Sequence, residues 1–449
     1  MKSSRAATFV FALALGAVSA EAVNRSGAPV RRALRFLLAR QVQEPLDIVL
    51  DGERVRDLPG DWPQYFSLRG TPGPRVRDVS PFMVAFIHHA LTLVIEENRE
   101  PLRLSGKDLA AARGMRRRAI EFLSRFESKP DAPDAGTFGF WPYDAHPGVP
   151  GPALERALVD WLKGPVLGGA RIPLNLRIFP SPLAIPTDAD VTATTYAALL
   201  DDERLDAGPR SETPFHLFFA DWRDLGVVPR RKNPTWLPPA SGAFLTWLTY
   251  REPGAPLFPN DVDLVVNANV LFALGRYHRL DVPGVDEAVV LILDATTLGL
   301  HRDRIEEIAE YYPDNLVFHY AVSRAFREGG VAALSPAVEI LADDLEVSAI
   351  ERSDGVAYWD RGDPHLNTAF ALLTLLNAGR ETPLLGRAAR YLAREQRLSG
   401  GYDAAPFFLG RADGGQVFEF SSAALTTAMA LEAMARYQLA RRANSVRPE

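Results

Sequence analysis

The chain has 449 residues, no cysteine and a formal net charge of −6. The lack of cysteine excludes disulfides and thiolate metal sites. Its basic residues are scattered along the chain rather than gathered in a stripe, so we expect no nucleic-acid partner.

Residues 1–22 have the pattern of a secretion signal. A positively charged start is followed by an apolar run from Ala6 to Ala20, and small residues around Ala22 supply a cleavage site. The apolar run is shorter than the roughly 20 residues that span a bilayer. We therefore expect a periplasmic or secreted protein with no integral membrane span after signal cleavage.

Residues 23–449 are predicted to form a single helical domain. Six amphipathic segments alternate with six segments that are apolar nearly all round, a pattern typical of outer and buried helices. The predicted outer helices are 29–43, 107–126, 214–225, 284–297, 331–345 and 385–396. The predicted inner helices are 81–95, 188–200, 261–277, 314–326, 365–377 and 419–437.

The spacing of the inner helices predicts a closed ring. The last four begin near Asn260, Pro313, His365 and Glu419, which are 53, 52 and 54 residues apart. Repeated units of this kind bury their apolar faces by stacking on one another. We predict an all-α fold, an (α/α)6 toroid of six helical hairpins with an inner and an outer ring. A Pro- and Gly-rich segment at about 131–186 is predicted to be a loop-rich insertion.

In such a toroid the inner helices start at one end of a central cavity, and their first residues converge there. Two of the starts match, because 186–190 and 259–263 share the layout Pro-cap-Asp-x-Asp. The candidate catalytic residues at these and two later starts are Asp188, Asp190, Asp261, Asp263, His365 and Glu419. Helix capping alone would also explain the acidic residues, with Thr187 and Asn260 as the caps.

A second motif recurs in the outer helices. Arg-Ala-x-x-Tyr-Leu-x-x-x-Gln at 387–396 is followed by Gly400-Gly401-Tyr402, and 32–41 and 118–123 repeat its first part. This motif resembles the QW motif of squalene-hopene cyclases and related terpene cyclases, with Tyr402 in place of the usual Trp. The resemblance implies the prenyltransferase/squalene-cyclase-like toroid superfamily. The Gln amide and the aromatic ring are then expected to join neighbouring repeats.

The same resemblance implies a role for the first Asp pair. Class II terpene cyclases carry a DxDD motif at an inner helix start, and its middle Asp protonates an alkene or epoxide. The segment 188–193 resembles DxDDTA with Val191 in place of the last Asp. On this resemblance Asp190 is the proton donor and Asp188 its helper.

Three functions stay open on the sequence. The first is a class II, proton-initiated terpene cyclase-like enzyme that cyclises or modifies an isoprenoid and requires no cofactor. The second is an exported carbohydrate-active enzyme, either a glycoside hydrolase or a polysaccharide lyase, with two carboxylates across a cleft. The third is a non-catalytic toroid that binds a ligand or protein at its acidic end. An enzyme would hold a small-molecule or oligomeric substrate in the central cavity, and the aspartates would also suit Mg²⁺ or Ca²⁺.

Overall fold

A computed structural model of the protein describes residues 27–44, 46–50, 53–70, 75–99, 101–128, 135–140, 187–202, 215–248, 260–313, 316–411 and 417–446. The predicted signal segment 1–22 and most of the predicted insertion at 131–186 lie outside the described residues, so secretion stays a prediction. Within these ranges, no helix is both long enough and apolar enough to cross a membrane.

The described chain is mainly helical. In chain order its α-helices are α1 (Ala28–Arg40), α2 (Pro81–Glu96), α3 (Gly106–Leu123), α4 (Ala189–Asp201), α5 (Phe215–Asp221), α6 (Leu264–Arg276), α7 (Val285–Thr297), α8 (Leu300–Asp303), α9 (Val317–Arg327), α10 (Ser335–Ser348), α11 (Pro364–Asn377), α12 (Pro383–Glu395) and α13 (Ala423–Val446). Several begin after a capping side chain that accepts a backbone N–H, such as Ser80, Ser105 and Thr382.

Six of these helices form a closed inner ring. Helices α2, α4, α6, α9, α11 and α13 pack side by side in that order, and α13 returns to pack against α2. The inner helix α6 is buried from Leu264 to Gly275, whereas the outer helix α12 buries mainly one face. Each predicted helical segment corresponds to an observed helix, and the (α/α)6 toroid is confirmed. The apolar and amphipathic patterns separate the two rings because only the inner helices have protein on all sides.

Short strands, which the sequence analysis did not predict, accompany the helices. Those in the described residues are β1 (Leu46–Leu50), β2 (Glu53–Asp57), β3 (Gln64–Leu68), β4 (Val76–Asp78), β5 (Ile350–Glu351), β6 (Ala357–Tyr358), β7 (Ala405–Arg411) and β8 (Val417–Ser422). The order β4-β3-β8-β7 makes an antiparallel sheet with β7 at one edge. The prediction that Glu419 begins the last inner helix is wrong. It lies in β8, and α13 begins four residues later, after Ser422, whose hydroxyl accepts the N–H of Ala424.

The recurring motif joins the last repeat to the first. The Gln396 amide donates to the carbonyl oxygen of Pro29 at 3.0 Å and accepts from Arg32 Nε at 2.9 Å. Gly400 in this joint has φ of +90°, and a Cβ there would lie 2.3 Å from the carbonyl oxygen of Arg32. Only glycine fits so close an approach.

The first copy of the motif makes the same joint one repeat later. The Gln41 amide donates to the carbonyl oxygen of Met115 at 2.9 Å and accepts from Arg118 Nε at 2.9 Å. Its aromatic partner is Trp62, whose indole donates to the carbonyl oxygen of Leu37 at 2.8 Å. The hairpin β1–β2 lies between Gln41 and Trp62. The first part of this copy, at 32–41, is therefore not followed directly by a Gly-aromatic turn in the sequence.

Candidate functional site

The first Asp pair lies at the start of α4, and both side chains are only 4% exposed. Asp188 is the N-cap, and its Oδ1 accepts the Val191 N–H at 2.6 Å. Its other oxygen, Oδ2, is buried and has no hydrogen-bond partner among the described residues. Asp190 lies in the first turn, where Oδ1 accepts from Asn269 Nδ2 at 2.6 Å and Oδ2 accepts from the hydroxyl of Tyr312. Asp190 is therefore held by side chains from two other parts of the ring and caps no helix itself.

The second Asp pair lies at the start of the neighbouring inner helix, α6. Asp263 is the N-cap, and its Oδ1 accepts the N–H of Val265 at 2.8 Å. Asp261 lies two residues earlier and accepts from the Tyr311 hydroxyl at 2.7 Å. The predicted caps Thr187 and Asn260 are thus wrong by one and three residues, since the caps are Asp188 and Asp263. The Asn260 amide instead donates to the carbonyl oxygen of Trp247.

One turn binds both Asp pairs. Tyr311 bonds Asp261 through its hydroxyl and Asp263 through its N–H, the latter at 3.2 Å, while Tyr312 bonds Asp190. The predicted convergence of the two matching motifs at one end of the ring is therefore present. The roles of Tyr311 and Tyr312 were not predicted from the sequence. An adjacent tyrosine pair before an inner helix was the available signal.

Burial raises the pKa of the aspartates in this cluster. It raises the pKa of Asp190 to about 6, against the opposing effect of the hydrogen bonds from Tyr312 and Asn269. Burial also raises the pKa of Asp263 to about 8, and the nearby charge of Asp190 adds to the rise. The pKa of Asp188 is raised well above its ordinary value, first by burial and then by Asp190. Protons are thus retained here at a pH where exposed carboxyls are ionised.

Aromatic side chains pack near Tyr312, the tyrosine that bonds Asp190. The Phe82 ring lies 6.1 Å from the ring of Tyr312, measured between centroids, and stacks on Phe407 at 5.5 Å. Phe407 is also 5.2 Å from Phe86. We call the following set the central aromatic cluster: Phe82, Phe86, Tyr312, Tyr320, Phe370 and Phe407.

A buried guanidinium lies among these rings. Arg324 is 1% exposed, and its charge lies 4.3 Å from the Phe272 ring centre, 4.7 Å from that of Phe86 and 5.1 Å from that of Tyr320. Its Nη2 donates to Asn269 Oδ1 at 2.5 Å, and Asn269 in turn donates to Asp190. The rings therefore present their negative faces to a positive charge in the middle of the toroid.

Solved structures with a similar architecture include type II terpene cyclases. The apo structure of the type II terpene cyclase MstE from Scytonema matches 93% of this chain and 99% of its own, with a TM-score of 0.53 and 14% identity. A variant of MstE in complex with its substrate, geranylgeranyl dihydroxybenzoate, matches over the same shares with a TM-score of 0.51 and 14% identity. This chain has a terpene cyclase-like fold.

The fold implied by the QW-like motif is therefore confirmed. No protein-family model matches the chain, and no curated protein sequence matches it significantly. Because one fold serves unrelated reactions, the reaction has to be argued from the site.

The structure places the two remaining candidates apart from the Asp pairs in this terpene cyclase-like fold. His365 lies in the first turn of α11 and packs on Tyr391 and Tyr402, in the joint with the outer helix α12. Glu419 lies on β8 and forms an ion pair with Arg69 at 3.3 Å. Catalytic roles for these two residues stay predictions.

A divalent cation at the aspartates also stays a prediction. Their oxygens accept from tyrosine hydroxyls, an asparagine amide and backbone N–H groups. Among the described residues, His89, Glu328 and Glu432 are the one group of three close enough to hold a metal ion. Arg436 already pairs with Glu328 at 2.8 Å and with Glu432 at 2.9 Å, so these carboxylates have a counter-ion within the protein.

The raised pKa values predict a pH-dependent stability. Asp263 has an ordinary pKa of 3.8 and a native pKa of about 8. Between these values the native chain binds more protons than the unfolded chain, so the free energy of unfolding falls as the pH rises. The whole shift corresponds to a loss on the order of 5 kcal/mol. Asp263→Asn keeps a capping oxygen but cannot titrate. We therefore expect its free energy of unfolding, measured with denaturant, to differ less between pH 5 and pH 8 than that of the wild type.

The matched control for this experiment is Asp286→Asn. Asp286 lies in the first turn of an outer helix, where it is exposed. This variant should keep the wild-type dependence of stability on pH. An equally steep dependence in Asp263→Asn would contradict the assignment.

Proposed function

We propose that this protein catalyses a proton-initiated cyclisation of an isoprenoid, with Asp190 as the general acid. The observation that carries the proposal is the position of Asp190, a buried carboxyl with a pKa of about 6 beside the central aromatic cluster. A general acid works best when its pKa lies near the working pH.

The proposed reaction begins with transfer of the Asp190 proton to a carbon of the terminal alkene. The alkene's π electrons form the new C–H bond and leave a carbocation, which the next double bond attacks to close a ring. A neighbouring carbon then loses a proton to water, and Asp190 regains a proton from solvent, so the product is an isomer of the substrate. Ring faces such as those of Phe82 and Phe86 would stabilise the carbocation, as those around Arg324 already stabilise a guanidinium.

Neighbouring carboxyls support Asp190 in place of the missing last Asp of the DxDD pattern. Val191 stands at that position and is buried. Burial raises the pKa of the Tyr312 hydroxyl well above its ordinary value, Asp190 adds to the rise, and Asp263 at the start of α6 and Asp188 lie near enough to add to it as well. We propose that the adjacent helix supplies through Asp263 the carboxyl that the motif itself lacks.

The apolar surroundings favour an isoprenoid over a carbohydrate. The aspartates are between 1% and 6% exposed, and the rings of Phe82 and Phe407 pack near Tyr312, which bonds Asp190. A sugar would bring many hydroxyls that need hydrogen-bond partners at such a site. The prenylated substrate of MstE suggests the same substrate class, a prenyl chain attached to a polar head.

Deuterium incorporation tests this reaction class. The wild-type protein is incubated in D₂O with linear farnesyl and geranylgeranyl compounds, and the products are examined by mass spectrometry. We expect a cyclic isomer that carries one deuterium at the carbon that was protonated. A cyclic product without deuterium, or release of sugar from a panel of polysaccharides, would contradict the proposal.

A further inference from the structure

A bulge in the edge strand β7 determines where Phe407 points. In the pairing of β7 with β8, Pro406 is opposite Ser421 and Phe408 is opposite Phe420, so the register shifts by one residue at Phe407. Such a bulge bends the strand and redirects the extra side chain. Phe407 is accordingly 1% exposed, although it lies on an edge strand.

The Phe407 ring packs among aromatic side chains of the inner ring. Its aromatic neighbours include Phe86 of α2 at 5.2 Å, Phe370 of α11 at 6.2 Å and Tyr312, in the turn before α9, at 6.0 Å. Phe407 therefore lies between three separate parts of the ring, directly beside the tyrosine that bonds Asp190.

The strand that carries Phe407 lies at the edge of its sheet, where β8 is its neighbour among the described strands. Its Leu409 N–H donates to the carbonyl oxygen of Tyr311 at 2.7 Å, which ties the strand to the turn that holds the aspartates. Its Ala405 N–H donates to Thr426 Oγ1 at 3.3 Å. Moving an edge strand would break these bonds but would not require two packed inner helices to separate.

We infer that Phe407 is a built-in plug that occupies the place of the substrate's prenyl chain, and that β7 withdraws it before an isoprenoid reaches Asp190. The inference rests on the proposed function. The phenyl ring has about the bulk of an isoprene unit and lies against the rings that would contact the chain. Substrate affinity is then reduced by the fraction of molecules in which the plug is in place.

Binding of farnesol to Phe407→Ala tests the inference. We expect this variant to bind farnesol at least about tenfold more tightly than the wild type, because the plugged state no longer competes. The matched control is Phe122→Ala, which removes an equally buried ring that packs on Phe126 away from the central aromatic cluster. Its farnesol affinity should equal that of the wild type. Equal affinity in all three proteins would overturn the inference.

Hydrogen exchange on the wild type keeps the test valid if Phe407→Ala does not fold. At saturating farnesol the Leu409 amide should exchange faster, because withdrawal of β7 breaks its bond to Tyr311. Unchanged or slower exchange would overturn the plug. Tighter binding by Phe407→Ala with no deuterated product would leave the plug standing and reject the cyclase. If the wild type forms a deuterated product but Phe407→Ala binds farnesol no more tightly than the wild type, the cyclase proposal stands and the plug is rejected.

Discussion

Asp190→Asn should lower the cyclisation rate by about 10²–10⁴-fold, the range measured for loss of a general acid. The amide keeps the shape of the carboxyl and an oxygen that can accept from Tyr312, but it has no acidic proton to transfer to an alkene. The loss should appear in kcat with little change in KM, because most of the contacts that bind the substrate would be made by aromatic rings and the proton transfer occurs only in the chemical step. Steady-state kinetics on a prenyl substrate that forms a deuterated product would measure both constants.

Asp261→Asn is the matched control. Asp261 belongs to the same cluster and shares the Tyr311 turn, but Arg231 lies 3.6 Å from it on the side towards solvent. We expect the cyclisation rate of Asp261→Asn to stay within about tenfold of the wild-type rate, because Asp261 donates no proton to the substrate. If Asp190→Asn cyclises the substrate at a rate within tenfold of the wild-type rate, and the product still carries deuterium, Asp190 is ruled out as the acid.

The largest expected loss of stability comes from Arg77→Met. Arg77 is 2% exposed and Asp61 is fully buried, and Arg77 Nη2 lies 2.6 Å from Asp61 Oδ2. Removing one partner of a buried ion pair leaves the other charge uncompensated and costs about 3–5 kcal/mol. We expect this decrease in the free energy of unfolding, measured by denaturant titration.

Two further variants separate charge burial from the loss of a surface contact. Arg35→Met breaks a similar Arg–Asp pair at 3.3 Å, but the Arg35 side chain is 65% exposed. Its effect should be about 1 kcal/mol or less. Asp61→Leu combined with Arg77→Met removes both buried charges and should recover much of the loss. Equal destabilisation by Arg77→Met and Arg35→Met would refute the burial argument.

The architecture could be predicted from the sequence because helical periodicity is local. Inner helices such as α6 are apolar on every face, and outer helices such as α12 carry arginines on one face. The strands were missed for the same reason, because β8 reads as the start of the apolar helix that follows it. Its alternating Phe-Glu-Phe-Ser pattern at 418–421 is a strand signal of only four residues.

The candidate site could be predicted only in part. The matching Asp pairs indicate where inner helices begin, and the ring brings them together. Their partners come from distant segments, since 122 residues separate Tyr312 from Asp190 and 79 separate Asn269 from it. A single sequence contains no signal for such pairings. The bulge at Phe407 is a matter of register between two strands, which composition does not reveal.

The joint between Gln396 and Arg32 has a consequence for folding. An open stack of repeats can begin to fold at any unit and extend outwards. Here the closing contacts join residues 364 apart at Gln396 and Arg32, and 359 apart at Ser422 and Pro63. The entropy of closing so long a loop must be overcome before these contacts form, and such topologies fold slowly. The ring is thus expected to assemble as an open arc that gains its final stability in one late step, when α13 meets α2.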